Sequence, residues 1–119
     1  MANRVREILS ELKTSSSDII GGAVVQVDGL VVASSLPRKI DEDLVGGMSA
    51  SMLGVGERIS SELMMSEMKQ VYVRSPDGVV IVNALGLEQA LVMLVSHDAK
   101  LGLVLLEMKR AVEKLTQIL

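Results

Sequence analysis

The sequence predicts an α+β fold: a five-stranded antiparallel sheet with helices on both faces, in the order α-β-β-α-β-β-β-α. Three observations lead there. Apolar residues recur at helical spacing near the N-terminus, across Ile40 to Met65 and from Leu101 to the end. Between these stretches lie five strand-like runs, and the turn chemistry of Asp28-Gly29 and of Pro76-Asp77-Gly78 joins neighbours as antiparallel hairpins. Val79 to Leu85 and Ala90 to Ser96 are apolar at nearly every position, as central strands covered on both faces are. The 119 residues are expected to form one domain, residues 1–119, large enough to bury a core without metal or disulfide.

Val5, Ile8, Leu9 and Leu12 give the first helix one buried face, and the chain turns at the serine-rich stretch Thr14 to Asp18. Ile19 to Val27 and Leu30 to Ser35 follow as strands, with Asp28-Gly29 expected as the centre of a two-residue type I′ turn because both residues tolerate positive φ. Gly21-Gly22 in the first strand suggests close packing of a helix against it. Pro37 breaks the second strand, and Asp41, Glu42 and Asp43 place carboxylates where the helix dipole favours them.

The long central helix has two contrasting faces. Leu44, Met48, Met52, Val55, Ile59 and Leu63 fall on one narrow stripe, while Gly46, Ala50, Gly54 and Leu53 lie on the far side. The stripe is expected to sit on the sheet, and the small residues to admit another backbone. Gly46-Gly47 inside a helix costs about 1 kcal/mol per residue in propensity, so either something approaches closely there or the helix kinks.

Lys69 to Arg74 alternates as an edge strand does, with Val71 and Val73 on one side and Tyr72 and Arg74 on the other. Pro76 suits the second position of the next turn, and Gly78 is expected to take a left-handed conformation. The two central strands meet around Gly86. The last helix places Leu101, Val104, Leu105, Met108, Val112, Leu115 and Leu119 on one face, opposite Glu107, Arg110, Glu113, Lys114 and Gln117.

Composition closes several functional classes. The chain is 49% hydrophobic with one Tyr and no Phe or Trp, so Val, Leu, Ile, Met and Ala must fill the core, and eight Met suit an adaptable interior or contact surface. A net charge of −3 and the lack of stacking aromatics argue against nucleic-acid binding. Zero Cys removes disulfides, thiolate catalysis and the usual structural zinc sites. Apolar runs far shorter than the roughly 20 residues of a membrane span argue against membrane insertion, and a cytoplasmic location is expected.

The inventory for catalysis is thin. His97 stands beside Asp98 where the last strand gives way to the last helix, a place for loop or cap roles. Gly21-Gly22 and Gly54-x-Gly56 lack the Gly-Lys-Ser/Thr of a phosphate loop. Arg38, Arg58 and Arg74 lie outside the terminal helices, where solvated salt bridging is the default role and stabilising phosphate charge in trans the alternative; Arg58 lies on a flank of the central helix where a docking partner would touch it. No catalytic residue, cofactor or metal ligand is assigned, and the protein is read as not an enzyme.

In order and spacing, Gly21-Gly22-Ala23-Val24-Val25, the hairpin Asp28-Gly29-Leu30-Val31-Val32-Ala33, the small-residue central helix and Leu101-Gly102-Leu103-Val104 together resemble the Roadblock/dynein light chain family, in its bacterial and archaeal members. The resemblance covers almost the whole chain. It implies a roadblock/profilin-like fold with the central helix on one sheet face and the terminal helices on the other, and a homodimer in which third strands pair edge to edge into a ten-stranded sheet while central helices pack side by side. The dimer interface would then draw on Gly46, Ala50, Leu53 and Gly54 with Val71, Tyr72 and Val73. Relatives of this kind bind small Ras-like GTPases across the paired helices and promote hydrolysis by positioning the GTPase's own residues; Glu57 and Arg58 would face such a partner. The competing functions are a structural adaptor without effect on nucleotide turnover and a small-molecule sensor.

Overall fold

In the computed structural model, which describes residues 2–119, the chain forms α1 (Ala2–Ser15), β1 (Ile19–Gln26), β2 (Val31–Ser35), α2 (Glu42–Met64), β3 (Gln70–Ser75), β4 (Gly78–Leu85), β5 (Gln89–Ser96) and α3 (Leu101–Ile118). The predicted element order holds throughout. The strands lie in the order β2-β1-β5-β4-β3, all neighbours antiparallel, so β2 and β3 are the edges and the apolar β1, β4 and β5 are interior.

Side-chain alternation divides the interior into two layers. Val24, Ile81, Leu91 and Met93 point to the face covered by α1 and α3, where they meet Val5, Ile8, Leu9, Leu12, Val104, Met108 and Leu115. Ala23, Val25, Val82, Ala90 and Val92 point to the other face, where Leu53 of α2 and Met68 cover them. Gly22 lies beneath α1 as expected, since a Cβ there would meet Leu9 and Leu12 at 3.7 and 3.9 Å.

The ends of α2 are set by local chemistry. Asp41 caps it, its carboxylate accepting from the backbone N–H groups of Asp43 and Leu44 at 3.0 and 3.3 Å. The exit is a left-handed Met65 (φ 51°) whose N–H donates to the Ser60 carbonyl, turning the chain back toward β3.

Three expectations are corrected. The β1–β2 hairpin is a three-residue loop rather than a two-residue type I′ turn. Val27 and Asp28 form its turn, the Gly29 N–H donates to the Gln26 carbonyl at 2.9 Å, and only Gly29 takes a positive φ, of 93°. The Leu30 N–H donates to the Asp28 carboxylate, a local bond that holds Asp28 in an ordinary conformation. Gly78 is not left-handed; a Cβ there would stand 2.7 Å from the Val95 carbonyl oxygen, so close strand approach is what requires glycine.

The third correction matters most. The stripe expected on the sheet is exposed, with Leu44, Met48, Val55, Ile59 and Leu63 between 51% and 74% accessible and only Met52 of the six partly buried. The face toward the sheet is instead Gly46, Ser49, Leu53 and Gly56. Small strand residues explain it: a surface of Ala and Val offers shallow relief, so the helix comes close by using glycine and serine. A Cβ on Gly46 would collide with the Gly29 carbonyl oxygen, and one on Gly56 with the Met68 sulfur.

Candidate interaction site

α2 touches β1, β2, β3 and β4, so it crosses the sheet rather than following a strand. Its N-terminal part rests on the β1–β2 loop through Gly46 and Gly29, and Gly56 rests against Met68 and Val71 at the start of β3. Ten residues of helix rise about 15 Å. Four strand spacings from β2 to β3 come to about 19 Å. The helix has therefore crossed nearly the whole sheet by Gly56, and about two further turns remain before Met64.

Only half of that sheet face lies beneath α2. The row Val71, Val82, Val92 and Ala23, in register across four strands, is covered. The next row, Val73, Val80 and Leu94, is not: Val73 is 54% exposed and the other two are partly buried. An apolar helix flank and a half-bare apolar row thus lie side by side, next to the unpaired backbone of the β3 edge.

The structure sorts the sequence-predicted interface residues into three groups. Gly46 and Leu53, expected on the outward face, are buried against the sheet, Leu53 at 3% exposure, and serve the core. Ala50 is half-buried, and Gly54 faces open space, with nothing within 4 Å of where a Cβ would stand. On the edge strand, Val71 and Val73 share the α2 face, while Tyr72, 56% exposed, lies on the α1/α3 face. Glu57 and Arg58 are both exposed; the Arg58 guanidinium is 3.5 Å from the Glu62 carboxylate one helical turn on. A surface pair of this kind is worth at most about 1 kcal/mol, leaving Arg58 free to exchange partners.

Sequence reasoning missed Leu44, Met48, Val55, Ile59 and Leu63 as outward residues by assigning them to the core. The available signal was the alternative small face, Gly46, Ser49 and Gly56, set against strands of Ala and Val. A concavity of about 330 Å³ opens on the other flank of α2, where Gly54, Glu57, Arg58 and Ser61 face Met68 and the β4–β5 turn residue Leu87. Among the described residues no three His, Asp or Glu side chains gather as a metal site, and no helix is long and apolar enough to cross a membrane.

Comparison with known proteins places this geometry. The family model of the Roadblock/LC7 domain matches residues 5–95. Two uncharacterized proteins of Methanocaldococcus jannaschii are each 37% identical over 111 residues, covering 93% of this chain and 92% and 96% of their own. Among solved structures, Myxococcus xanthus MglB superposes with a TM-score of 0.89 at 18% identity, over 98% of this chain and 87% of that one. A structure described as MglB with tetrameric arrangement gives 0.87 at 21% identity, over 98% and 88%. Acanthamoeba castellanii profilin IB gives 0.68 at 13% identity, over 94% and 96%, so the fold is the profilin-like one.

Proposed function

Because this chain belongs to the Roadblock/LC7 domain family, we propose that it is a non-catalytic homodimer that regulates or scaffolds a small Ras-like GTPase, with paired α2 helices as the docking surface. The observation that carries this reading is the exposed apolar flank of α2 beside an open β3 edge. Large apolar side chains in a contiguous exposed stripe mark an interaction surface, and an unpaired strand is a template for another. Both features lie on one side of the molecule, where a second copy related by a two-fold axis would engage them together and extend the sheet to ten strands. An MglB of this fold forms a tetrameric arrangement, which supports reading the present chain as one that self-associates.

Such a dimer leaves the outermost ridge of α2, with Gly54 and Arg58, facing away from the sheet on both copies. That ridge is the natural seat for the GTPase, and regulation there is proposed to mean positioning the partner's own catalytic groups. The test is to mix the purified protein with Ras-like GTPases of its own cell, loaded with GDP or a GTP analogue, and to follow complex mass and hydrolysis rate. A complex with faster hydrolysis is the expected result. Binding without a rate change turns the reading to a structural adaptor, and no complex in either state rejects it.

A second reading, a small-molecule sensor, is favoured by the concavity between α2 and Leu87, whose size is that of a small ligand site. Protection of Met68 and Leu87 amides from hydrogen exchange by a small-molecule extract, with no GTPase complex, would select it.

A further inference from the structure

We infer that the end of the sheet where the β4–β5 turn meets the β1–β2 loop is a docking surface for a basic segment of a partner protein, which seats apolar side chains around Leu87 and sets Lys or Arg against the carboxylates of Asp28, Glu57, Glu67 and Glu88. Neither the homodimer nor the GTPase is needed for it.

Leu85 pairs with Gln89, so Gly86, Leu87 and Glu88 make a three-residue turn. Gly86 supplies its left-handed conformation (φ 70°), and the Glu88 carbonyl accepts from the Val27 N–H at 3.0 Å, which fastens the turn to the β1–β2 loop. Leu87 is 80% exposed at the tip, with Val27 and Leu30 at 48% and 60% on the neighbouring loop. Turn geometry gives no reason for leucine at that tip. Large apolar side chains left in water at one end of a sheet mark a contact surface. Since the backbone that carries them is already bonded, little ordering is lost when a partner arrives.

A concavity lies on each side of the turn. The first, of about 330 Å³, is lined by Leu87 and Met68 with Glu57 and Glu67; the second, of about 200 Å³, by Val27 with Asp28 and Glu88. A small molecule would fill one of them, whereas a chain segment passing over Leu87 reaches both. Each concavity carries two of the four carboxylates, and none of these is in an ion pair among the described residues. The cations nearby are Arg58, already beside Glu62, and Lys69, whose carbonyl accepts from the Ala84 N–H at this end of β4. The rim is therefore acidic around an apolar centre. Such a surface selects a segment bearing both apolar and cationic side chains, and its charge repels nucleic acid and anionic lipid.

The probe is a short peptide of arginine, leucine and serine, titrated into the isotopically labelled full chain while amide shifts and mass by light scattering are followed. A peptide with glutamate in place of arginine, and spermidine, serve as controls. Shifts centred on Val27, Gly86, Leu87 and Glu88 with the arginine peptide alone are expected. Leu87→Ser, at the exposed tip, and the pair Glu57→Gln with Glu67→Gln are each expected to weaken that binding about tenfold. Equal binding of the glutamate peptide, equal binding of spermidine, shifts confined to the exposed α2 stripe, affinity unchanged in both variants, or no shifts at all would each overturn the proposal. The mass read in the same samples decides the homodimer separately.

Discussion

Adjacent glycines in α2 have opposite reasons to exist. Gly46 is pressed on the Gly29 carbonyl, while Gly47, one residue on and a third of a turn round the helix, has nothing within 4 Å of where its Cβ would be. Gly46→Ala is therefore expected to destabilise by about 1–3 kcal/mol, the scale of overpacking against backbone that cannot move aside. Gly47→Ala is expected to stabilise by about 0.5–1 kcal/mol, because alanine loses less chain entropy in a helix. Urea unfolding of the two variants checks both signs at once, and a stabilising Gly46→Ala would mean that α2 does not rest on the hairpin as described. Asp41 offers a smaller effect at the same scale: its carboxylate holds two N–H groups of the first turn, and Asp41→Ala should lose about 1 kcal/mol.

At the scale of elements, α2 is where the sequence was legible in pattern and misleading in direction. Helical spacing located the helices, continuous apolar runs bounded by turn residues located the interior strands, and the open β3 edge was readable from the alternation of Val71 and Val73 with Tyr72 and Arg74. Periodicity also showed that α2 has two faces, yet it does not say which face meets the sheet. The rule that the larger apolar face goes inward assumes a deep partner surface, and Ala23, Ala90, Val82 and Val92 make a shallow one. The hairpin was misjudged for a comparable reason: the Asp28 bond to the Leu30 N–H decides the turn, and spacing carries no trace of it. The reversal yields a prediction at this scale. Val55→Lys places a charge on the outer flank, where Val55 is 60% exposed, and is expected to abolish dimerisation while the circular dichroism and unfolding of the protomer stay native. Leu53→Lys, two residues away and 3% exposed, is expected to unfold the protein instead. Were Leu53→Lys to keep its fold and Val55→Lys to lose it, the helix would be seated the other way round.

For the whole molecule, the exposed stripe is not a symptom of loose packing. The radius of gyration is 13.2 Å, against about 13.5 Å expected of a compact chain of this length. The protomer is thus compact with the α2 flank left outside its core, and under the homodimer proposal a second copy covers that flank. Association of this kind couples to stability through mass action. The thermal midpoint should climb with protein concentration, and the mass should approach twice 12.7 kDa in the same range. Ionic strength identifies the force responsible. The proposed seam joins apolar side chains of the α2 flank and the backbone of the β3 edge. Raising salt to about 1 M shortens the Debye length to about 3 Å and would release a contact held by exposed charges. The dimer is expected to persist or tighten under that change, given that apolar burial does not depend on screening. Dissociation at high salt would assign the contact to charged groups and take the α2 flank out of it.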